Sequence, residues 1–256
     1  MSQRNNVIDR WADYRVKRLE QNKESFNAMY KINPQTGEII EEIYFNCQAL
    51  QNKQQTNAKR HNRTSSDCVE KSQRRAKSKL KDYCNANDDL EYFVTLTIDP
   101  SKCDRTDYNA IYKKLRVWLN HQQQRKGLKY ILVPEYHKDG KGIHFHGLIN
   151  KALPLEESGR VRKKTKQIIY NLPNWTLGFT TAIKIDKNRL KCFNYITKYI
   201  TKSREKIGGR WYLSSNNLNQ LAIIKFNADY DSIKAKEFEV EKDIKCKKIE
   251  RRYIKE

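Results

Sequence analysis

The residues best suited to chemistry are concentrated in one stretch near the middle of the chain, residues 130–150, which reads YILVPEYHKDGKGIHFHGLIN. Two apolar, β-branched runs flank a turn cluster that contains two glycines, and this pattern predicts a β-hairpin. Side chains alternate between the two faces along a strand, so His144 and His146 share one face. Glu135 and His137 share a face of the partner strand in the same way. We therefore expect these four groups to meet on one patch of sheet.

Two imidazoles and a carboxylate on a rigid sheet are a donor set for a divalent metal ion. Mixed nitrogen and oxygen donors, with positions left for water and phosphate, suit Mg²⁺ or Mn²⁺ as the working ion, while affinity favours Zn²⁺, Co²⁺ or Ni²⁺. The spacing alone leaves the third ligand open between Glu135 and His137. It also leaves open an alternative in which the histidines are surface residues on a solvent-facing strand.

A second set of chemical groups lies in the duplicated sequence YITKYITK. Its tyrosines, Tyr195 and Tyr199, are four positions apart, so in a helix they lie on one face about 6 Å apart along the axis. Lys198 and Lys202 each follow a tyrosine by three positions and stay near that side of the helix. The spacing predicts a helix that presents two phenols with two cations nearby.

A tyrosine hydroxyl can attack a phosphodiester and form a phosphotyrosine intermediate, which is covalent nucleophilic catalysis. The ordinary tyrosine pKa of about 10 must then be offset by a cation or a base, and Lys198 and Lys202 are placed to stabilise charge. The alternative is a core helix with an aromatic stripe and lysines that extend to solvent. Ile196 and Ile200 already supply an apolar ridge, so we expect that packing does not need the tyrosines.

The composition indicates a polyanionic partner. The 256 residues include 52 Lys or Arg against 30 Asp or Glu, a formal net charge of +22, which favours nucleic acid first and an anionic membrane surface second. No apolar run approaches the roughly 18 residues of a membrane span, and the N-terminus lacks the apolar core of a signal peptide, so we expect a cytoplasmic protein. The six scattered cysteines contain no Cys-x-x-Cys pair, which argues against a zinc ribbon and against disulfides.

The elements around these groups can be predicted from periodicity. In the strand LEYFVTLTI the residues Phe93, Thr95 and Thr97 share a face, and the opposite face is apolar and suited to pack on a helix. An amphipathic helix follows, and beyond the hairpin come a strand, the tyrosine helix and a last strand. The expected bounds of these five elements are Leu90–Ile98, Asp107–Lys126, Gly178–Ile185, Asp186 to about Ser203, and Gln220–Asn227.

The flanking regions divide the chain into four parts. We expect an accessory N-terminal segment (1–58) with a helix at residues 9–22 and a hairpin around NPQTG, and then a basic helical segment (59–89). A central domain (90–230) and a charged C-terminal tail (231–256) follow. The basic helix either contacts a DNA backbone or is a solvated face. Residues 151–176, with RVRKKTK, predict an exposed loop that grips phosphate.

Three stretches in this order resemble the motifs of the histidine–hydrophobe–histidine (HUH) endonuclease superfamily. They are FVTLT at Phe93–Thr97, His144-Phe145-His146, and Tyr195-x-x-x-Tyr199-x-x-Lys202, and together they span Leu90 to Ser203. The arrangement is similar to that of the rolling-circle replication initiators of small single-stranded DNA phages and plasmids. The doubled tyrosine resembles the two-tyrosine initiators in particular.

The resemblance implies an α+β fold, with a central antiparallel sheet and helices on one face in a ferredoxin-like or RNA-recognition-type arrangement. It implies a nickase and strand transferase that links the 5′-phosphate of single-stranded origin DNA to Tyr195 or Tyr199, aided by Mg²⁺ or Mn²⁺. The family pattern favours Glu135 over His137 as the third ligand beside His144 and His146, and it implies a host helicase and polymerase as partners. A relaxase or single-strand transposase would use the same chemistry. A non-catalytic nucleic-acid-binding protein would instead use exposed aromatic residues as stacking platforms.

Overall fold

The computed structural model describes residues 25–46, 65–137, 140, 142–185, 189–202 and 205–229. The predicted helix at 9–22 and the tail 231–256 lie outside these residues. The chain divides into two compact units, one formed by Met1–Asn62 with Gln220–Glu256 and the other by Arg63–Asn219. In chain order the elements are β1 (Ser25–Ile32), β2 (Ile39–Asn46), α1 (Ser65–Ala86), β3 (Tyr92–Ile98), α2 (Tyr108–Lys126), β4 (Tyr130–Tyr136), β5 (Ile143–Ile149), β6 (Glu156–Val161), β7 (Ile168–Asn171), β8 (Gly178–Lys184), α3 (Arg189–Lys202), β9 (Leu213–Ser214) and β10 (Ala222–Asp229).

The first unit contains an antiparallel sheet in the order β10-β1-β2. The predicted hairpin around NPQTG is confirmed as β1–β2, and its turn is closed by backbone bonds in which Gly37 N donates to Asn33 O and Asn33 N donates to Glu38 O. Lys31 and Glu41 form a buried ion pair at 2.7 Å across this hairpin. The last predicted strand is also present, as β10, and it pairs with β1 along its whole length.

The second unit is built on a seven-stranded sheet in the order β6-β7-β8-β3-β5-β4-β9. All of its strand pairs are antiparallel. The predicted α+β class with a central antiparallel sheet is therefore confirmed. The expected strands and helices from Leu90 to Lys202 are present with bounds that differ by one to three residues.

One face of this sheet packs on α2. The buried residues of β3 alternate along the strand, as the sequence predicts, and face an apolar stripe of the helix. Asp107 caps α2 by accepting a bond from Ala110 N, and Gly127 ends it in the left-handed conformation. The residues that meet here are Tyr92, Val94, Leu96 and Ile98 from β3 and Ile111, Leu115, Trp118 and Leu119 from α2.

The opposite face packs on α1 and α3, so the three helices lie on both faces of the sheet. Ile131 and Val133 of β4 and Leu148 of β5 contact this layer, and both strands are therefore buried on two sides. The two helices are joined to each other, since Gln73 of α1 donates to the carbonyl of Ile200 in α3 at 3.1 Å. The position of α3 over the sheet is thus fixed by α1 as well as by the strands.

The expectation of an exposed loop at residues 151–176 is wrong. This region forms the hairpin β6–β7, which extends the sheet beyond β8. The sequence conceals it because β6 is exposed almost throughout and lacks alternating apolar residues, and because a register irregularity between Glu157 and Arg160 interrupts the pairing. The basic run Arg160–Lys166 occupies the end of β6 and the turn, where Lys166 adopts a φ of 56°.

Two further sequence expectations concern thiols and membranes. Among the described residues, Cys68, Cys84 and Cys103 are free, Cys68 is exposed and the other two are buried. Within the same part of the chain, no helix combines the length and the apolarity that crossing a membrane requires.

Candidate metal centre and tyrosine helix

The hairpin β4–β5 brings the predicted ligands together because its register places Glu135 directly opposite His144. His146 lies two positions further along β5 and therefore on the same face as His144. On its other side β5 pairs with β3, where Thr97 lies opposite His144 and Thr95 opposite His146. The resulting patch is on the face covered by α1 and α3.

Glu135 contacts both histidines through one carboxylate oxygen. Its Oε2 lies 3.0 Å from Nε2 of His144 and 2.9 Å from Nε2 of His146. Among the described residues, these three form a group whose candidate ligand atoms all lie within 4.8 Å of one another. Ligands placed about 2.1 Å from a metal at right angles are about 3 Å apart, so the spacing fits one divalent ion of octahedral preference. The residues present therefore fit Mg²⁺ or Mn²⁺.

The second nitrogen of His146 is also held. Nδ1 of His146 lies 3.1 Å from the hydroxyl of Thr95 on β3. If Nε2 binds a metal ion, Nδ1 carries the hydrogen and donates it to Thr95, which fixes the tautomer and the orientation of the ring. The sequence places Thr95 on the correct face but gives it no role, since its pairing with His146 depends on the register of β3 with β5.

The competing candidate, His137, lies at the edge of the same patch. Its Nδ1 is 3.4 Å from Nδ1 of His144, and the two rings are perpendicular with centroids 4.5 Å apart. His137 follows the last residue of β4, and its backbone N–H donates to the carbonyl of Gly142. Because Glu135 reaches both histidines on the Nε2 side and His137 meets the Nδ1 side of His144, the geometry favours Glu135 as the third ligand.

Tyr199 of α3 lies directly on the patch. Its ring stacks on the imidazole of His146 with centroids 4.2 Å apart and planes 13° apart. The Phe93 ring is also near-parallel to His146, with a centroid distance of 6.0 Å. Tyr199 is only 5% exposed and belongs to the same cluster as Ile196 and Ile200. The expectation that packing does not need the tyrosines is therefore wrong for Tyr199, because α3 crosses the sheet at this residue.

The remaining predicted catalytic residues are on the same helix. Lys198 is exposed to solvent. Tyr195 and Lys202 lie within α3, but their side chains are outside the described part of the structure. The structure therefore places one of the two predicted nucleophiles, Tyr199, against the candidate metal ligands.

Other tyrosines of this unit are electrostatically different. Burial is the main cause that raises the pKa of Tyr136 to about 12, and a hydrogen bond with the neighbouring Tyr108 adds to the shift. Burial also raises the pKa of Tyr112, whose hydroxyl donates to the carbonyl of Ile207 at 2.8 Å. A raised pKa holds the phenol in its neutral form, so neither residue is suited to act as a nucleophile.

The strand that carries Thr95, the two histidines and the tyrosine helix lies within one contiguous stretch of sequence. Residues 91–204 match a family model that describes a replication-associated protein of the ORF2 type. The matched stretch includes Glu135, His144, His146 and Tyr199 and is somewhat less than half of the chain. No curated protein and no solved structure matches the chain. The match supports a relation to rolling-circle replication initiators and, with it, an association with DNA.

Proposed function

We propose that the protein initiates rolling-circle replication by nicking single-stranded origin DNA and later rejoining the strand. In this proposal it is a site-specific endonuclease and strand transferase of the HUH type. His144, His146 and Glu135 hold a divalent metal ion, and Tyr195 and Tyr199 are the nucleophiles.

The observation that carries the proposal is the contact between the two chemical elements at His146. One side of this residue belongs to a three-ligand group with Glu135 and His144, and its ring face stacks on Tyr199. A structural aromatic core needs no carboxylate at this place, and a surface metal site needs no buried tyrosine. Their coincidence supports metal-assisted tyrosine chemistry.

The reaction is a transesterification. The phenolate oxygen of the tyrosine attacks the phosphorus atom and forms a P–O bond, while the bond from phosphorus to the 3′ oxygen breaks. The proton lost by the tyrosine is balanced by the one that the leaving 3′-hydroxyl takes up, and the 5′-phosphate stays on the enzyme. A bound Mg²⁺ or Mn²⁺ would polarise the scissile phosphate. The second tyrosine attacks the regenerated origin after a round of synthesis, and the released 3′-hydroxyl rejoins the strand.

Several chain segments have supporting roles in this proposal. Lys198 and Lys202 stabilise the charge that develops at the tyrosines, and Lys198 is exposed and accessible to a phosphate. The basic helical segment 59–89, which contains α1, contacts the DNA backbone. The division into an accessory segment, the basic helical segment, an endonuclease domain and a tail, the cytoplasm of a bacterial host carrying a phage or plasmid, and recruitment of the host helicase and polymerase are parts of the same proposal.

A second function is favoured by the burial of Tyr199. A tyrosine that is 5% exposed and stacked in a core cluster fits a non-catalytic module that binds single-stranded nucleic acid on its sheet. Such a module binds DNA with the salt dependence of its cations and forms no covalent product.

A nicking experiment separates the two functions. Single-stranded DNA from the element's own origin, labelled at the 5′ or the 3′ end, is incubated with Mn²⁺ or Mg²⁺ and analysed on a denaturing gel. The nickase predicts two fragments, with the downstream one migrating at protein size, and EDTA abolishes both. Uncut DNA that is retarded only on a native gel would support the binding module instead.

A further inference from the structure

An aromatic side chain stands exposed on the same sheet face as the candidate metal ligands. Phe179 of β8 is 68% exposed, which is more than any other large apolar side chain in the described part of the chain. The other exposed residues of this kind in that part, such as Val117 and Val161, are aliphatic. An exposed Phe on a strand gains nothing from folding, so its position needs a partner from outside the chain.

The register of four strands fixes the face on which Phe179 lies. Phe179 of β8 is opposite Thr97 of β3, Thr97 is opposite His144 of β5, and His144 is opposite Glu135 of β4. Residues that are directly opposite in neighbouring strands project to the same face. The buried neighbours Thr180 and Ala182 project to the opposite face, where Ala182 joins the α2 core. Phe179 is therefore in one row with two of the candidate metal ligands.

The distance along this row suits a nucleotide. Adjacent strands are about 4.8 Å apart, so β8 lies about 10 Å from β5, which is within the reach of one or two nucleotides. Only the short side chain of Thr97 intervenes in the row, and the next row along the strands places Thr95 and Thr181 side by side. The surface between Phe179 and His144 thus carries hydroxyl groups and no bulky residue that would block a strand.

We propose that Phe179, with Thr97 and Thr181, forms a base-binding subsite for single-stranded DNA next to the candidate metal centre. The inference rests on the proposed function for the role of that centre. The ring stacks on one unpaired base and so positions the neighbouring phosphate over Glu135 and His144. Bases within a duplex are already stacked on each other, so an aromatic face on a sheet selects single strands. The net charge of +22 favours a polyanionic ligand over an apolar protein partner.

The test is an equilibrium binding measurement made in EDTA, so that it does not depend on cleavage. The probe is a fluorescently labelled oligothymidylate, compared with an abasic oligomer of the same length. Stacking on one base predicts that Phe179→Leu weakens binding of the oligothymidylate about 5- to 100-fold, while Phe179→Trp retains it. The abasic oligomer should bind the wild-type chain and Phe179→Leu equally. Val117→Ala, which removes an exposed apolar side chain from α2, should change nothing.

Two results would overturn the subsite. One is an affinity of Phe179→Leu for oligothymidylate equal to that of the wild type, or a loss that is the same for the abasic oligomer. The other is a change of oligomeric state on gel filtration in Phe179→Leu, which would make Phe179 a contact between copies of the chain. Because Phe179 is exposed, both variants should melt at the wild-type temperature. A protein that binds through Phe179 but never nicks DNA would contradict the nickase and leave the subsite standing.

Discussion

The imidazole of His146 and the phenol ring of Tyr199 stack with their centroids 4.2 Å apart. His146 lies on β5 and Tyr199 on α3, so this contact joins the strand that carries the candidate metal ligands to the helix that carries the candidate nucleophiles. Because Tyr199 is also part of the apolar cluster, its ring and its hydroxyl have separable roles. The ring positions α3, and the hydroxyl is available for chemistry.

Substitution of Tyr199 can separate these roles. Tyr199→Phe keeps the stacked ring, so we expect the free energy of unfolding to fall by about 1 kcal/mol or less, while covalent attachment to DNA is weakened. Tyr199→Ala removes a buried ring and should cost about 3 to 5 kcal/mol. Urea denaturation of both variants measures the first effect, and a DNA-adduct assay of Tyr199→Phe measures the second. Equal stabilities of the two variants would contradict the packing role.

Thr95 should tune the candidate metal centre without being a ligand. Thr95→Val keeps the size of the side chain but removes the hydroxyl that faces Nδ1 of His146. We expect Mn²⁺ affinity, measured by calorimetry, to fall about 10- to 100-fold, as it does when an outer partner of a ligating histidine is lost. Thr97→Val is the matched control on the same strand and face, and it should keep the wild-type affinity. A Thr95→Val variant with unchanged affinity would show that Nδ1 needs no partner there.

The third ligand can be identified by comparing Glu135 with His137. Glu135→Gln removes the charge that faces both histidines, and we expect it to abolish measurable Mn²⁺ binding. His137→Ala should retain binding, because His137 meets the opposite nitrogen of His144. Salt-sensitive binding of single-stranded DNA should persist in both variants, since it depends on lysines and arginines. The reverse order of metal affinities would make His137 the ligand.

The metal patch can be predicted from sequence because strand alternation is a local property. Once the hairpin around DGKG is recognised, Glu135, His144 and His146 must share a patch. The stacking of Tyr199 on His146 cannot be predicted, because it depends on where α3 crosses the sheet, and that position is set by α1 from far away in the chain. In the same way, the role of Thr95 and the row that contains Phe179 depend on strand registers that no local pattern specifies.

Local pattern also fails at the edge of the sheet. It predicts a loop where the β6–β7 hairpin lies, because an edge strand that is exposed on both faces has no alternation of apolar residues. By contrast, it predicts α2 from Asp107 to Lys126 correctly, because the apolar stripe and the cap of this helix are both local signals.

Alkaline pH should destabilise the endonuclease-like unit through its buried phenols. Burial raises the pKa of Tyr112 above its ordinary value of 10.0, and that of Tyr136 to about 12. A phenol with a raised pKa in the folded state favours folding fully below pH 10, and this contribution is lost as the pH rises towards and beyond 12 because the unfolded chain ionises first. Urea titrations at neutral pH and inside this window should show the loss.

Tyr112→Phe is the informative variant for this effect. At neutral pH it removes the hydrogen bond to Ile207 and should cost about 1 kcal/mol. Above pH 10 the wild-type chain also loses the contribution of the buried neutral phenol, so the difference between the two chains should shrink. A difference that grows with pH would contradict the assignment of Tyr112 as a buried, protonated phenol.

The most direct test of the account is to identify the residue that carries DNA after cleavage. Trypsin cuts after Lys191, Lys198 and Lys202, so Tyr195 and Tyr199 fall on different peptides, CFNYITK and YITK. After reaction with single-stranded origin DNA and Mn²⁺, nuclease digestion and mass spectrometry should find a nucleotide phosphate on one or both of these peptides. The adduct should disappear in the double variant Tyr195→Phe/Tyr199→Phe. An adduct on any other peptide, or cleavage without an adduct, would contradict the tyrosine mechanism.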